Sequence, residues 1–218
     1  MANATVLLRK PPSRRWFVAM AAAAAIGWQG TGNAQPAADA RQPINELYSG
    51  LQVVMQMGKG VAFKQRFDRL APVLDRVFNL ETILRTSVGL RWTSLDDAAR
   101  TTLFNIFRTF TIASYTANFD SNDGLRFEVL PRTRASGEDV IVESRLLPAS
   151  GDPVRIDYVM HAGPAGRQVV DVLLNGSISR VAVQRSDFRA LLAAGSAAPL
   201  IDSLRRKVAD LSGGAMRP

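Results

Sequence analysis

Between Leu125 and Val183 the residues alternate in a way that suits a sheet. In Val154 to Met160, Val154, Ile156, Tyr158 and Met160 fall on one side and Arg155, Asp157 and Val159 on the other. That is the period of two of a half-buried strand. Asp139 to Leu147 repeats the pattern less cleanly, with Val140, Val142, Ser144 and Leu146 together. Leu125, Phe127 and Val129 alternate with Arg126 and Glu128. Val169 to Leu174 is apolar on nearly both faces, broken only by Asp171, which predicts a central strand covered on both sides. Asn175-Gly176 tolerates the positive backbone angles of a tight hairpin, so Ser177 to Val183 is predicted to return alongside as a further strand. The expected product is an α+β fold: one twisted antiparallel sheet of about four to five strands with helices over it.

Helical spacing flanks this block. Ile44 to Met57 carries Leu47, Leu51 and Val54 on one face, with Pro43 at its first turn and Gly58-Lys59-Gly60 as its stop. Val61 to Phe78 buries Phe63, Phe67, Leu70 and Leu74 and leaves Lys64, Arg66, Asp68 and Arg69 on the other side, with Pro72 as a point for a kink. Leu80 to Val88 is a short helix closed by Gly89. Ser94 is positioned to cap a long helix reaching about Phe119, whose broad stripe includes Leu103, Ile106, Phe107 and Phe110, widened by Phe104 and Tyr115. After the sheet, Ser186 is expected to cap a helix from Asp187 to Ala194 ended by Gly195, and Pro199 to Leu211 forms a last amphipathic helix.

Residues 1–34 have the order of a secretory signal: a basic segment ending at Arg14-Arg15, an apolar run from Trp16 to Trp28, then Gly32-Asn33-Ala34 with small residues at the cleavage positions. Arg14-Arg15 also resembles the twin-arginine export motif. The expected organisation is a signal peptide over 1–34, a flexible mature N-terminus over 35–43, one domain over 44–211 and a disordered tail over 212–218. Arg9, Lys10, Arg14 and Arg15 lie in the first segment with no acid, so only +4 of the formal +8 belongs to the rest. A balance that small gives nucleic acid little to hold, and the arginines are scattered over many elements while the aromatics sit on apolar faces.

Catalytic chemistry finds few candidates. The chain has no cysteine, which excludes disulfides and thiol nucleophiles. His161, the one histidine, ends a strand, and no serine stands in a Gly-x-Ser-x-Gly elbow, so a hydrolase built on His161 lacks its signature. Gly163-Pro164-Ala165-Gly166 is a turn between strands and not a phosphate loop. Asp96-Asp97 belongs to a helix start, and Asp75 and Glu81 stand among arginines that suit salt bridges better than a paired-carboxylate site. No enzyme, metal or cofactor is expected. The apolar stripes then fit either a solid core, as in an adaptor that binds only a protein partner, or two walls of a hydrophobic ligand pocket.

Several stretches carry a resemblance. Phe78-Asn79-Leu80, Val88-Gly89-Leu90-Arg91-Trp92, Phe110 to Phe119, Val170 to Ser177 and Arg185-Ser186-Asp187-Phe188 together resemble the periplasmic MlaC, or toluene-tolerance, family of phospholipid shuttles, over about residues 44–211. Ile178 to Arg185 is similar to its hopanoid-associated HpnM branch. One departure is Arg167, where the family often has Trp four residues before the Asp, here Asp171.

The resemblance implies a cavity between sheet and helices that takes lipid acyl chains while the headgroup stays in water. It implies a carrier of phospholipid or hopanoid-type lipid between an outer-membrane lipoprotein complex and an inner-membrane ABC transporter complex. Exposing roughly thirty methylenes costs on the order of 25 kcal/mol, at about 0.8 kcal/mol each, so both walls must be apolar. The expected lining is Val88, Trp92, Phe104, Phe107, Phe127, Val129, Ile156, Tyr158, Val170, Val172, Leu174 and Ile178, with Arg85 or Arg91 near a headgroup. Periodicity leaves open which strand face turns inward.

Overall fold

The alternation builds an antiparallel meander, with strands β1 (Arg126–Ser136), β2 (Asp139–Leu147), β3 (Val154–Gly163), β4 (Gly166–Leu174) and β5 (Ile178–Ser179) side by side in chain order. The computed structural model describes residues 35–192 and 196–218, with side chains from Ala40 onward. The signal-like segment and the Gly195 stop lie outside the described residues. Register runs Val129–Ser144–Ile156–Leu174 in one row and Val142–Tyr158–Val172 in the next. The even-numbered residues of β2 and β3 therefore share the inner face, and Val142, Ser144, Tyr158 and Met160 are buried on it.

Two irregularities shape the sheet. In β1, Val129 pairs with Ser144 and Thr133 with Val142, so Leu130, Pro131 and Arg132 stand opposite Glu143 alone. Proline suits such a bulge in an edge strand because no ladder donor is lost. In β4, Val169 pairs with Met160 and Asp171 with Val159, which leaves Val170 as the extra residue. The bulge explains why β4 reads as apolar on both faces. Only Val169 is fully buried, so β4 is half-covered and not the two-sided central strand that its composition suggests.

The returning segment corrects a second expectation. Asn175 (φ 53°) and Gly176 (φ 75°) do turn the chain tightly, but β5 ends at Ser179 and α5 (Arg180–Leu191) replaces the rest of the expected strand. The Ser179 hydroxyl accepts from the Ala182 amide at 2.9 Å, and the Asp171 carboxylate accepts from the Val181 amide at 3.1 Å. Those caps convert an alternating sequence into a helix start. Ser186 consequently lies inside α5 and caps nothing.

The remaining helices are α1 (Gln35–Met57), α2 (Phe63–Val77), α3 (Leu80–Val88), α4 (Asp97–Asn118) and α6 (Ala198–Leu211), with a 3-10 turn over Gly89–Ser94. The segment expected to be flexible, 35–43, forms the first turns of α1, where Ala40 is buried and Pro43 lies inside the helix. Asp96, not Ser94, caps α4, accepting from the Ala99 amide at 2.7 Å, while the Ser94 hydroxyl turns back to the Arg91 carbonyl. Arg66, expected on the wet face of α2, is buried and donates to the Thr116 carbonyl of α4 at 3.1 Å. The tail expected to be disordered is tied down instead: Ser212 is buried, its Oγ accepts from the Met216 amide, and Met216 packs on the core. Leu47, Leu51, Leu70, Leu74, Leu84 and Leu103 form the centre of that core. Helix α1 packs on α2 and the sheet, α3 on α5, and α4 chiefly on α6 and α2.

The outer sheet face is polar. Arg155 clasps Asp157 through two bonds of 2.9 and 2.7 Å, Arg134 adds one at 3.0 Å, and both arginines also reach Glu143 at 3.1 Å. Desolvation alone would raise the Asp157 carboxyl, but the bonds and charges of Arg155 and Arg134 outweigh it and hold the group below its usual range. The linked stability is present above the unfolded value of about 3.9 and is lost as pH falls through the lower folded value. Asp157→Asn is expected to lose about 2 kcal/mol at neutral pH. In urea titrations across pH, the gap to the parent should shrink only below about pH 4; a gap independent of pH would contradict this account.

Candidate functional site

A hollow of about 360 Å³ lies between the inner sheet face and helices α4 and α5. Its sheet wall is Leu146, Ile156, Tyr158, Asp171, Val172 and Leu174. Across from them α4 presents Phe107, Phe110, Thr111, Ser114, Tyr115 and Asn118, the three-and-four spacing of a single helix face, with Phe119 at the helix end beside them. Tyr48 of α1, Leu80 and Ile83 of α3 and Arg180, Val181 and Gln184 of α5 complete it.

The polar residues of the α4 face add less polarity than their names suggest. The Thr111 hydroxyl donates to the Phe107 carbonyl at 2.9 Å and that of Ser114 to Phe110 at 2.7 Å. Hydroxyls satisfied by their own helix leave mostly carbon facing the hollow. Aromatic rings extend the wall: Phe78 meets Tyr115 at 5.6 Å between centroids, Tyr115 stacks on Phe119 at 6.1 Å, Phe119 meets Phe127 at 5.7 Å, and Phe127 stacks on Tyr48 at 4.5 Å.

All three tyrosines of the chain line the hollow. Ser144 Oγ donates to the Ile156 carbonyl at 2.5 Å, so its single proton is spent and Tyr48 must donate to Ser144 Oγ, also at 2.5 Å. Burial raises the Tyr48, Tyr115 and Tyr158 phenols above their ordinary value. They therefore stay protonated at neutral pH. The Tyr115 hydroxyl makes no hydrogen bond among the described residues.

Of the expected lining, Phe107, Ile156, Tyr158, Val172 and Leu174 do face the hollow. Phe127 and Val129 pack behind it against the core, and Val88 is buried in that core. Trp92 lies under the Arg100 guanidinium, 5.9 Å from its ring centre. Phe104 lines a separate recess with Asp75, Phe78 and Arg108, where Arg108 grips Asp75 through two bonds. Val170 is the bulge residue, and Ile178 is about half exposed on the two-residue β5. Neither headgroup candidate lines the hollow: Arg85 is exposed on α3, and Arg91 donates to the Leu192 carbonyl at 2.6 Å. The cation on the lining is Arg180, which sequence reasoning missed because it placed that residue in a strand. His161 sits at 2.7 Å from Asp139 on the exposed end of the sheet. Among the described residues no group of acids and His could hold a metal ion.

A search against protein-family models matches the MlaC model over residues 48–206, most of the chain. The chain belongs to the MlaC family. That match spans α1 to α6 and thus every wall of the hollow. Among solved structures, a phospholipid-binding protein from Ralstonia solanacearum, determined in complex with a phospholipid, superposes with a TM-score of 0.67 at 17% identity, covering 81% of this chain and 98% of that one. The likeness shows that the MlaC-family fold, helices over an open antiparallel sheet, is shared. No curated protein matches the chain.

Proposed function

We propose that this protein is a lipid carrier, taking acyl chains of a phospholipid or hopanoid-type lipid into the hollow between β3, β4, α4 and α5. The observation that carries the reading is a continuous apolar hollow where an adaptor would have a packed core. Family membership and a related fold that was crystallised around a phospholipid support it. The hollow is at the small end of ligand pockets, which run from about 300 to 1,000 Å³, so a two-chain lipid would need α4 and the sheet to part further.

The signal-like N-terminus makes the periplasm the proposed compartment, by the general or the twin-arginine route. There the carrier would move lipid between an outer-membrane lipoprotein complex and an inner-membrane ABC transporter complex. A free lipid cannot cross water cheaply, so loading at docking surfaces on those complexes is expected.

The test is extraction and mass spectrometry of protein purified from a cell envelope, with vesicle uptake in parallel. Bound lipid near one molecule per chain is expected, with a mature N-terminus at Gln35. Empty protein that also takes nothing from vesicles would sink the carrier reading.

A further inference from the structure

We propose that Arg180 and the Tyr115 hydroxyl form an anion-recognition site on the cavity wall, which selects amphiphiles carrying a phosphate or carboxylate beside their acyl chains. The inference rests on the carrier reading and goes further by naming the charge that the cargo must bear.

Three observations converge. Arg180 is the single Lys or Arg among the side chains lining the hollow, and it makes no hydrogen bond or ion pair among the described residues. Most arginines that hold a position do so through an acid, as Arg108 does with Asp75 and Arg155 with Asp157; Arg180 is left exposed at an apolar wall. Tyr115 supplies a second donor with no protein partner on the same lining. Both residues line the one hollow, so the two donors face the same space. A guanidinium, which only donates, and a phenol O–H free to donate suit an oxyanion.

The neighbouring groups leave the task to these side chains. The first amides of α5 are already taken, Val181 by Asp171 and Ala182 by Ser179. Asp171 also lines the hollow, but its carboxylate is engaged by the Val172 and Val181 amides and the Ser179 hydroxyl, at 2.7, 3.1 and 2.5 Å. An incoming anion therefore meets a carboxylate that already accepts three hydrogen bonds. Gln184, one turn along α5, is also on the lining.

Purified protein is offered mixed vesicles containing phosphatidic acid and diacylglycerol with identical chains, and retained lipid is measured. The parent should prefer phosphatidic acid by about tenfold, the size of one charge-assisted contact. Arg180→Gln should remove most of that preference, lowering phosphatidic acid far more than diacylglycerol; Arg180→Lys should keep part of it, and Tyr115→Phe should lower it less. Should the glutamine variant fold poorly, the parent alone decides through salt: the preference should fall as ionic strength rises. Millimolar inorganic phosphate is the control for the source of the anion, and failure to displace lipid assigns the site to a headgroup. An equal loss of both lipids, or an unchanged ratio in Arg180→Gln, overturns the inference and leaves the carrier reading standing. Absence of any loading overturns both.

Discussion

Ile156→Trp is expected to cut lipid loading at least tenfold while the protein still folds. Ile156 sits in the middle of the sheet wall, between Ser144 and Leu174 in its row, and its side chain is only half-buried because it ends in the hollow. Indole placed there grows into empty space, and the usual overpacking cost of about 1–3 kcal/mol is largely avoided. The same change at Val142, buried against the core in the next row, should behave oppositely, lowering stability by that amount. Thermal melts and lipid mass spectrometry on the pair separate a filled cavity from a damaged core. Normal loading in Ile156→Trp would mean that the acyl chain goes elsewhere.

Asp171→Ala is the second large effect. One carboxylate joins β4 to α5: it accepts from Val172 on its own strand, from the Ser179 hydroxyl and from the Val181 amide. Its removal leaves the Val172 amide of β4 and the Val181 amide of α5 unmet and frees the hydroxyl that caps Ala182, at an expected cost of about 2–3 kcal/mol. Helix α5 brings Arg180, Val181 and Gln184 to the hollow, so loading should fall along with stability. Ser179→Ala, which loses the cap but keeps the carboxylate, should cost about 1 kcal/mol. Hydrogen exchange confined to α5 in Asp171→Ala would check the assignment; a uniform rise across the sheet would contradict it.

How far the residues foretell this arrangement depends on the element. Strands β2 and β3 were legible because alternation, cleaner in β3 than in β2, survives along them, and Asn175-Gly176 and Gly89 marked turns that the backbone does make there. The inward face of β4 was not, since the Val170 bulge shifts the phase midway and an apolar run carries no mark of it. Helix α5 was hidden for a different reason. Its start combines the local Ser179 cap with a bond from Val181 to Asp171, which lies across the hairpin and outside any local window. The same long-range dependence decides the site. Ile156, Tyr158, Val172, Leu174 and Phe107 were among the apolar residues expected once the resemblance implied a cavity, whereas Thr111, Ser114 and Asn118 look polar until their helix is known. Arg180 could be found only once α5 existed, and Arg85 and Arg91 were the nearest cations by sequence but not in space.

The kinked first strand has a bearing on how many copies can share a compartment. A straight β1 would offer a row of unpaired amides and carbonyls to a neighbouring molecule, the template from which edge-to-edge polymers grow. Leu130-Pro131-Arg132 bends that margin and deletes a donor at its middle, and arginines flank the interruption on both sides. The chain thus carries its protection against edge-to-edge pairing on the rim that is farthest along the sheet from α5.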